Sequence, residues 1–544
     1  MDPVVGIVGI LLAFKGAVDT ALWIGSFFDD ETASSGYLAL SYHIEKTRLQ
    51  RWGKFCKAND ADKPWQCTLR DKPDEIKEII VRILGQILQL NKKADALVEK
   101  HNINMATLPD LDIDDNLHTR GALARTLARI SVIPTARFLW TLKRKKEFED
   151  IVSKLQKLIG DLEKFSLDRD EPRLLEKTLS SHVLLSVDDP GLLKILYSPE
   201  GNFDRGLALS ARAKSLLQPE DALLAPRLPS ARTTQRLEFL AGSSTLGYLT
   251  GPDRSVHAVW VEWNTFNASS ESRKYVERID SLGQLLKQVS EPSLRLPPCH
   301  GVYEDFEYER DNGVKRIGYV FGLPQVQTQT LYDGNLRDHP PRTLSALIKD
   351  YRNTPIPSLG DRFQLACTLA QAFSLFHAAK WLHKGLHSGS IVFLERTDNR
   401  GITVTEPFIT GFQYSRPLQA ESFSQSPLED KNLQHYYHPD ADQGFSKKRD
   451  LYSLGVVLCE IGRWKMVVDV PKDKMQKLPV NREGWRKHMT EKVAPDLGWR
   501  MGTKYQTAVM KLLKSDLPDD EEGDLFFAQQ YTENVLDLLS ACKA

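Results

Sequence analysis

Apolar residues recur at helical spacing through roughly the first 166 residues. Between Ser41 and Ala58 they fall on one helical face. After Pro73 a second such face is formed by Ile76, Ile79, Ile80, Ile83, Leu84, Ile87 and Leu90. A third pattern runs from about Leu117 to Phe165, with a kink or break expected at Pro134. Helical spacing repeated in this way predicts an all-α bundle over residues 1–166.

The pattern changes after this bundle. Residues 167–231 carry prolines between short helical patterns, at Pro172, Pro190, Pro199, Pro219, Pro226 and Pro229. From residue 232 onward, strand-like runs such as Val256–Trp263 and Ile317–Leu323 occur among helical ones. The pattern therefore predicts a multidomain chain: a helical bundle (1–166), a helical brace or linker (167–231) and an α+β domain (232–544).

The free energy of inserting the N-terminal apolar segment into a membrane is close to zero. Eleven strongly apolar residues between Val4 and Ile24 contribute about −3 to −6 kcal/mol to insertion. Lys15 and Asp19 cost about +5 to +7 kcal/mol if they lie at the centre of the bilayer. Two interpretations stay open, a buried core helix and a segment that inserts only conditionally.

Conditional insertion would involve six residues of this segment, namely Val8, Leu11, Leu12, Phe14, Lys15 and Asp19. We expect a resting bundle to bury the four apolar ones. In an inserted oligomer, the two charged residues could face each other or a wet lumen instead of lipid.

A basic stretch follows later in the bundle. Residues 116–146 contain eight Lys or Arg and no acidic residue. The lipid-binding candidates are Arg125, Arg129, Arg137, Lys143, Arg144, Lys145 and Lys146. Each cation near an anionic lipid surface contributes about 1 kcal/mol to binding. Alternatively, these residues form a solvated helical face that pairs with the acidic 110–115 loop or with the C-terminal domain.

Composition narrows the class of protein. The 544 residues carry 72 basic and 72 acidic side chains, so overall charge predicts neither nucleic-acid nor membrane binding. The six cysteines are scattered, without C-x-x-C pairs or zinc spacing. This pattern favours a reducing cytosol and argues against a structural metal.

One loop in the C-terminal domain resembles a protein-kinase catalytic loop without its catalytic residues. The stretch His383–Phe393 keeps the His, the basic residue and the Leu of H-R-D-L-x-x-x-N, together with the apolar strand that follows. Gly385 replaces the catalytic Asp, and Ser390 replaces the metal-binding Asn.

The neighbouring kinase motifs also keep residues typical of the fold and lack the residues needed for catalysis. Gly411 stands at the Asp of D-F-G, and Glu262 stands at the phosphate-binding Lys of the V-A-I-K strand. The stretch 242–247 is a poor substitute for the Gly-rich loop, whereas Lys448–Ile461 closely resembles a helix of the large kinase lobe. Because phosphoryl transfer needs the Lys, the metal ligands and the base, the resemblance implies a pseudokinase with no cofactor.

The N-terminal block resembles the HeLo domain of fungal HET-S/LopB-type proteins. The matching motifs are Tyr42–Gly53, Phe138–Trp140, Glu147–Phe148, Ile151–Val152 and Asp161–Phe165. That family implies a helical bundle whose N-terminal segment can be released to insert into membranes and kill the cell. The domain architecture, a helical bundle followed by a brace and a pseudokinase, resembles that of the mixed-lineage-kinase-domain-like necroptosis effectors.

Three alternative functions are consistent with these sequence patterns. The first is a membrane-permeabilising cell-death effector, cytoplasmic at rest, that self-associates on anionic plasma membrane after an unidentified upstream signal. Such an effector would belong to fungal incompatibility or innate immunity. The second is a non-catalytic scaffold or adaptor. The third is an active kinase with displaced catalytic groups, with His387 and Glu406 as candidates.

Overall fold

The chain forms two compact units, Met1–Asn202 and Phe203–Ala544. The computed structural model describes residues 6–21, 33–59, 63–99, 142–168, 171–199, 203–217, 236–251, 253–267, 272–326, 329–330, 334–397, 401–412, 415–417, 431–470, 479–518 and 523–544. The division at 202/203 lies inside the predicted brace, so the helices of residues 167–231 belong to both units. The predicted boundaries at 166 and 231 stay predictions.

Helices make up the described part of the first unit. They are α1 (Ile7–Asp19), α2 (Ala33–Phe55), α3 (Asp74–Glu99), α4 (Leu142–Ser166), α5 (Glu171–Leu185) and α6 (Pro190–Tyr197). Helix α1 packs on α3, α4 packs on α2 and α3, and both α5 and α6 pack on α2. The helices predicted at Ser41–Ala58 and after Pro73 are thus confirmed. Of the pattern from 117 to 165, the part from Leu142 is helical, while Pro134 and the acidic loop lie outside the described residues.

Close packing of an aromatic pair fixes α1 to the bundle. Phe14 and Trp52 are buried, with ring centroids 5.6 Å apart. A Cβ atom at Gly53 would lie 1.9 Å from the Phe14 ring, so only glycine allows this approach. Truncating a buried Phe to Ala typically costs about 3–5 kcal/mol, which makes Phe14 a principal anchor of α1.

Buried polar groups anchor the other end of α1. The Asn91 side-chain amide donates to the Ala17 carbonyl oxygen at 2.7 Å, and Tyr42 donates its hydroxyl to Asn91 Oδ1 at 2.9 Å. Buried polar groups stabilise a fold only when they are paired. These two bonds therefore fix the register of α1 against α2 and α3.

A five-stranded antiparallel sheet begins the second unit after helix α7 (Arg205–Leu217). Its strands are β1 (Arg236–Phe239), β2 (Leu246–Thr250), β3 (Val256–Asn267), β4 (Cys299–Glu304) and β5 (Val314–Gly322), in the spatial order β1-β2-β3-β5-β4. Helix α8 (Ser272–Val289) follows β3 and packs on β4, and α9 (Phe306–Asn312) connects β4 to β5. The strands predicted at Val256–Trp263 and Ile317–Leu323 are confirmed.

The two faces of β3 differ. Val259 and Val261 join an apolar cluster with Leu249 and Val320 on one face. Because side chains alternate along a strand, Trp260 and Glu262 point to the opposite face.

The remainder of this unit is mostly helical. Its helices are α10 (Leu344–Lys349), α11 (Leu359–Ala378), α12 (Lys447–Arg463), α13 (Arg482–His488), α14 (Leu497–Met501), α15 (Thr503–Leu513), α16 (Asp524–Tyr531) and α17 (Asp537–Ser540). Its short strands are β6 (Gln325–Val326), β7 (Gln329–Thr330), β8 (Arg342–Thr343), β9 (Trp381–Leu382), β10 (Ile391–Phe393), β11 (Glu395–Arg396), β12 (Gly401–Ile402), β13 (Phe408–Ile409) and β14 (Arg416–Pro417). Helix α12 is almost wholly buried against α11 and α15, and β10 pairs with β8 and β13.

Candidate functional site

Helix α1 buries only one of its apolar faces. Ile10, Leu11, Phe14 and Ala17 are buried, whereas Val8 is 52% exposed and Leu12 is 60% exposed. The expectation that the bundle buries all four apolar candidates is therefore wrong for Val8 and Leu12. The physical reason is helical geometry, since residues 8 and 12 lie one turn apart on the side that faces away from α3.

The two charged residues of α1 continue this exposed side. Lys15 and Asp19 are both exposed, at three and seven residues after Leu12. Among the described residues, no helix is both long enough and apolar enough to cross a membrane. In the folded unit, α1 thus presents a short apolar surface that ends in two charges.

The lipid-binding candidates are only partly described. Arg125, Arg129 and Arg137 lie outside the described residues, and Lys143 and Arg144 belong to the first turn of α4. On the same helix, Lys146 is exposed and Lys145 lies 4.0 Å from Glu149. The structure therefore places two of these cations at the surface of α4 and does not test their binding to lipid.

In the second unit, a buried carboxylate holds the start of the His383–Phe393 loop. Asp450 of α12 accepts hydrogen bonds from the backbone N–H groups of His383 and Lys384 at 3.0 and 2.8 Å. Its other neighbour is His377, whose Nε2 lies 3.0 Å from the same carboxylate. Burial alone would raise the pKa of Asp450, but the hydrogen bond and charge of His377 and the neighbouring donors hold it below its usual value.

At position 385, where the sequence resemblance expects a catalytic Asp, the chain has a glycine. This residue is buried, and its N–H donates to His383 Nδ1 at 3.3 Å. The other nitrogen of His383 lies 2.8 Å from the carbonyl oxygen of Thr410, so His383 is a neutral imidazole that donates from Nε2. Burial lowers the pKa of His383, which agrees with this assignment.

Ser390 and Gly411, which the sequence resemblance compares with metal-binding residues, lie next to each other. The Ser390 hydroxyl donates to the His387 carbonyl oxygen at 2.8 Å and accepts the His387 N–H at 3.1 Å, so it caps a turn. Gly411 has φ of 79°, and a Cβ atom there would lie 2.7 Å from Ser390 Cβ. An aspartate at position 411 would therefore be strained and crowded in this arrangement.

Glu262 reaches the same turn from the sheet. Its Oε2 accepts the Gly411 N–H at 2.9 Å. Burial raises the pKa of Glu262, while hydrogen bonds from Thr410 and Gly411 partly offset this effect. Of the four positions predicted to be degraded kinase positions, 262, 390 and 411 are thus brought together. Gly385 lies beside His383, whose imidazole bonds the neighbouring Thr410.

Sequence reasoning missed Trp260. This residue is 6% exposed, and its ring lies 5.8 Å from Phe321, its register partner on β5. The available signal was a bulky aromatic residue two positions before Glu262, where strand alternation places it on the same face.

The two candidates for displaced catalysis have local structural partners. His387 Nδ1 accepts the Gly389 N–H at 3.0 Å and caps the short helix Ser388–Ser390. Glu406 lies 3.3 Å from Arg396 in an ion pair. Neither contact directs a base or a metal ligand toward Gly411.

Comparison with known families identifies the first unit. Residues 4–196 match the HeLo family model, described as prion-inhibition and propagation. The N-terminal region is a helical HeLo region, and this domain is associated with prion inhibition and with cell death and incompatibility. The match ends at residue 196, close to the division between the units, and includes α5 and α6. The chain matches no curated protein.

Proposed function

We propose that this protein is a membrane-permeabilising effector of regulated cell death, in which a kinase-like unit restrains and triggers the HeLo region. The HeLo match over residues 4–196 carries the proposal. The exposed Val8 and Leu12 of α1 support it, because an apolar surface at the N-terminus is available for lipid or self-association.

Several features of the second unit support a pseudokinase. An antiparallel five-stranded sheet with a helix after its third strand precedes a mainly helical region. Asp450 bonds the loop that resembles H-R-D-L-x-x-x-N. Glu262, Gly385, Ser390 and Gly411 replace the groups that phosphoryl transfer needs.

The proposed switch is a population shift. The resting protein is cytoplasmic, and an upstream protein that binds the released state more tightly than the restrained state would favour release. The released HeLo region would bind anionic lipid at the plasma membrane and self-associate there. This behaviour suits regulated cell death of the incompatibility or innate-immunity type in fungi.

Expression in cells tests the proposal. Residues 1–202 alone should be more toxic than the full chain, since the restraint is missing. Leu12→Asp should reduce this toxicity, because the change raises the cost of insertion by about 3–4 kcal/mol while the site is exposed in the folded unit. Phe165→Asp, at another exposed apolar residue, is the matched control and should stay toxic.

A scaffold or adaptor is the second candidate function. It would be favoured if residues 1–202 are abundant, helical and harmless. It would also be favoured if Leu12→Asp and Phe165→Asp reduce toxicity equally.

The pseudokinase assignment has its own test. Purified full-length protein incubated with labelled ATP, Mg²⁺ or Mn²⁺ and generic substrates should transfer no phosphate. Labelling that is lost on His387→Ala or Glu406→Ala would instead establish a kinase with displaced catalytic groups.

A further inference from the structure

Two side chains of β3 fill the positions that the base and the phosphates of a bound nucleotide would need. Trp260 and Glu262 lie about 6.6 Å apart along the strand on one face of the sheet. Trp260 is buried against Phe321, so a large aromatic ring already fills this part of the face. A planar base could enter only if the indole moved.

Glu262 occupies the adjoining polar position. Backbone N–H groups at a turn are typical ligands of phosphate oxygens. Here the N–H of Gly411 already donates to a carboxylate oxygen of Glu262 at 2.9 Å. An incoming phosphate would have to displace this carboxylate and would be repelled by it.

We propose that the cleft carries its own occupant: the Trp260 indole takes the place of a nucleotide base, and the Glu262 carboxylate takes the place of a phosphate oxygen. The inference rests on the proposed kinase-like character of this unit. Because both groups belong to β3, the sheet is tied to the Gly411 turn without any ligand. The arrangement of these residues is then independent of nucleotide concentration. An upstream protein would therefore have to bind at another surface of the molecule.

Hydrogen exchange of the full-length protein tests the carboxylate. The Gly411 amide should be protected in the wild type. In Glu262→Ala its exchange should be about ten- to a hundredfold faster, as expected for loss of a hydrogen bond to a charged group. Glu238→Ala removes an exposed carboxylate from the same sheet and should leave Gly411 exchange unchanged. An unprotected Gly411 in the wild type, or equal protection in Glu262→Ala, overturns the proposal.

A gain of binding tests both groups together. The wild type should show no melting shift with millimolar ATP, with or without Mg²⁺. The double variant Trp260→Ala/Glu262→Lys should show a rise of about 2 °C or more, because it has room for a base and a cation for phosphate. That shift should need no Mg²⁺, since Ser390 and Gly411 offer no carboxylate. If the Ala variant does not fold, Trp260→Val with Glu262→Lys serves instead.

The outcomes separate this inference from the proposed function. ATP binding by the wild type, or a folded double variant that binds no ATP, overturns the inference alone. Phosphate transfer by the wild type, or harmless residues 1–202, overturns the proposed function, and neither is measured by Gly411 exchange.

Discussion

His182 links the stability of the HeLo region to pH. It is 7% exposed, and its Nδ1 lies 3.0 Å from the Thr178 carbonyl oxygen. Burial, followed by the nearby charge of Arg51, lowers the pKa of His182 from 6.5 to about 3. Its charged form is therefore disfavoured in the folded unit and not in the unfolded chain.

The sign of the pH effect follows from this depressed pKa. Well above pH 6.5 His182 is neutral in both states and has no effect on the pH dependence of stability. As the pH falls below 6.5, only the unfolded chain takes up the proton, so the free energy of unfolding drops by about 1.4 kcal/mol per pH unit. His43, with a pKa of about 4 because of burial, acts in the same direction. The raised pKa of Glu45, caused by burial, acts in the opposite direction.

Urea unfolding of residues 1–202 at pH 7.5 and 5.0 measures this effect. The loss of stability between the two pH values should be about 2 kcal/mol smaller in His182→Asn than in the wild type, since His182 titrates over roughly 1.5 pH units of that interval. An unchanged pH dependence in the variant would mean that His182 is not held neutral by burial.

At the scale of one element, α1 offers a matched pair of leucines. Leu11 is 1% exposed and Leu12 is 60% exposed, although both are equally apolar in sequence. Leu11→Ala should lower the free energy of unfolding by about 2–5 kcal/mol, and Leu12→Ala should change it by less than about 0.5 kcal/mol. Denaturant unfolding of residues 1–202 measures both. Equal losses would show that α1 packs with a different face.

These two leucines also show which properties of a helix its sequence predicts and which it does not. The apolar spacing of α2 and α3 predicts both helices, because polar residues define their outer faces. Helix α1 is apolar on every side up to Phe14, so the sequence predicts a helix but not the face that packs. That choice depends on Gly53, whose missing side chain admits the Phe14 ring.

The contacts around Gly411 show the same limit over a longer sequence distance. The motifs around Gly385 and Gly411 predict which chemical groups are missing. They do not predict that Glu262 bonds Gly411, since 149 residues separate the two. Likewise, the pattern around Asp450 predicts a helix, whereas its bonds to His383 and Lys384 depend on tertiary packing.

At the scale of the whole molecule, two units carry separate parts of the proposed function. Helices α5 and α6 pack on α2 and fall within the residues that match the HeLo model. Helix α7 instead packs on α8 and α11 in the second unit. A fragment meant to isolate the membrane-active part should therefore end near residue 202.

Dye leakage from liposomes tests the central claim most directly. Residues 1–202 should release dye from anionic vesicles, and added salt should weaken the release because charge attraction decays within a Debye length. Changing Lys143, Arg144, Lys145 and Lys146 to Glu should reduce it strongly, and the full chain should release little. No leakage from a folded 1–202 fragment at any vesicle charge would contradict a membrane-permeabilising function.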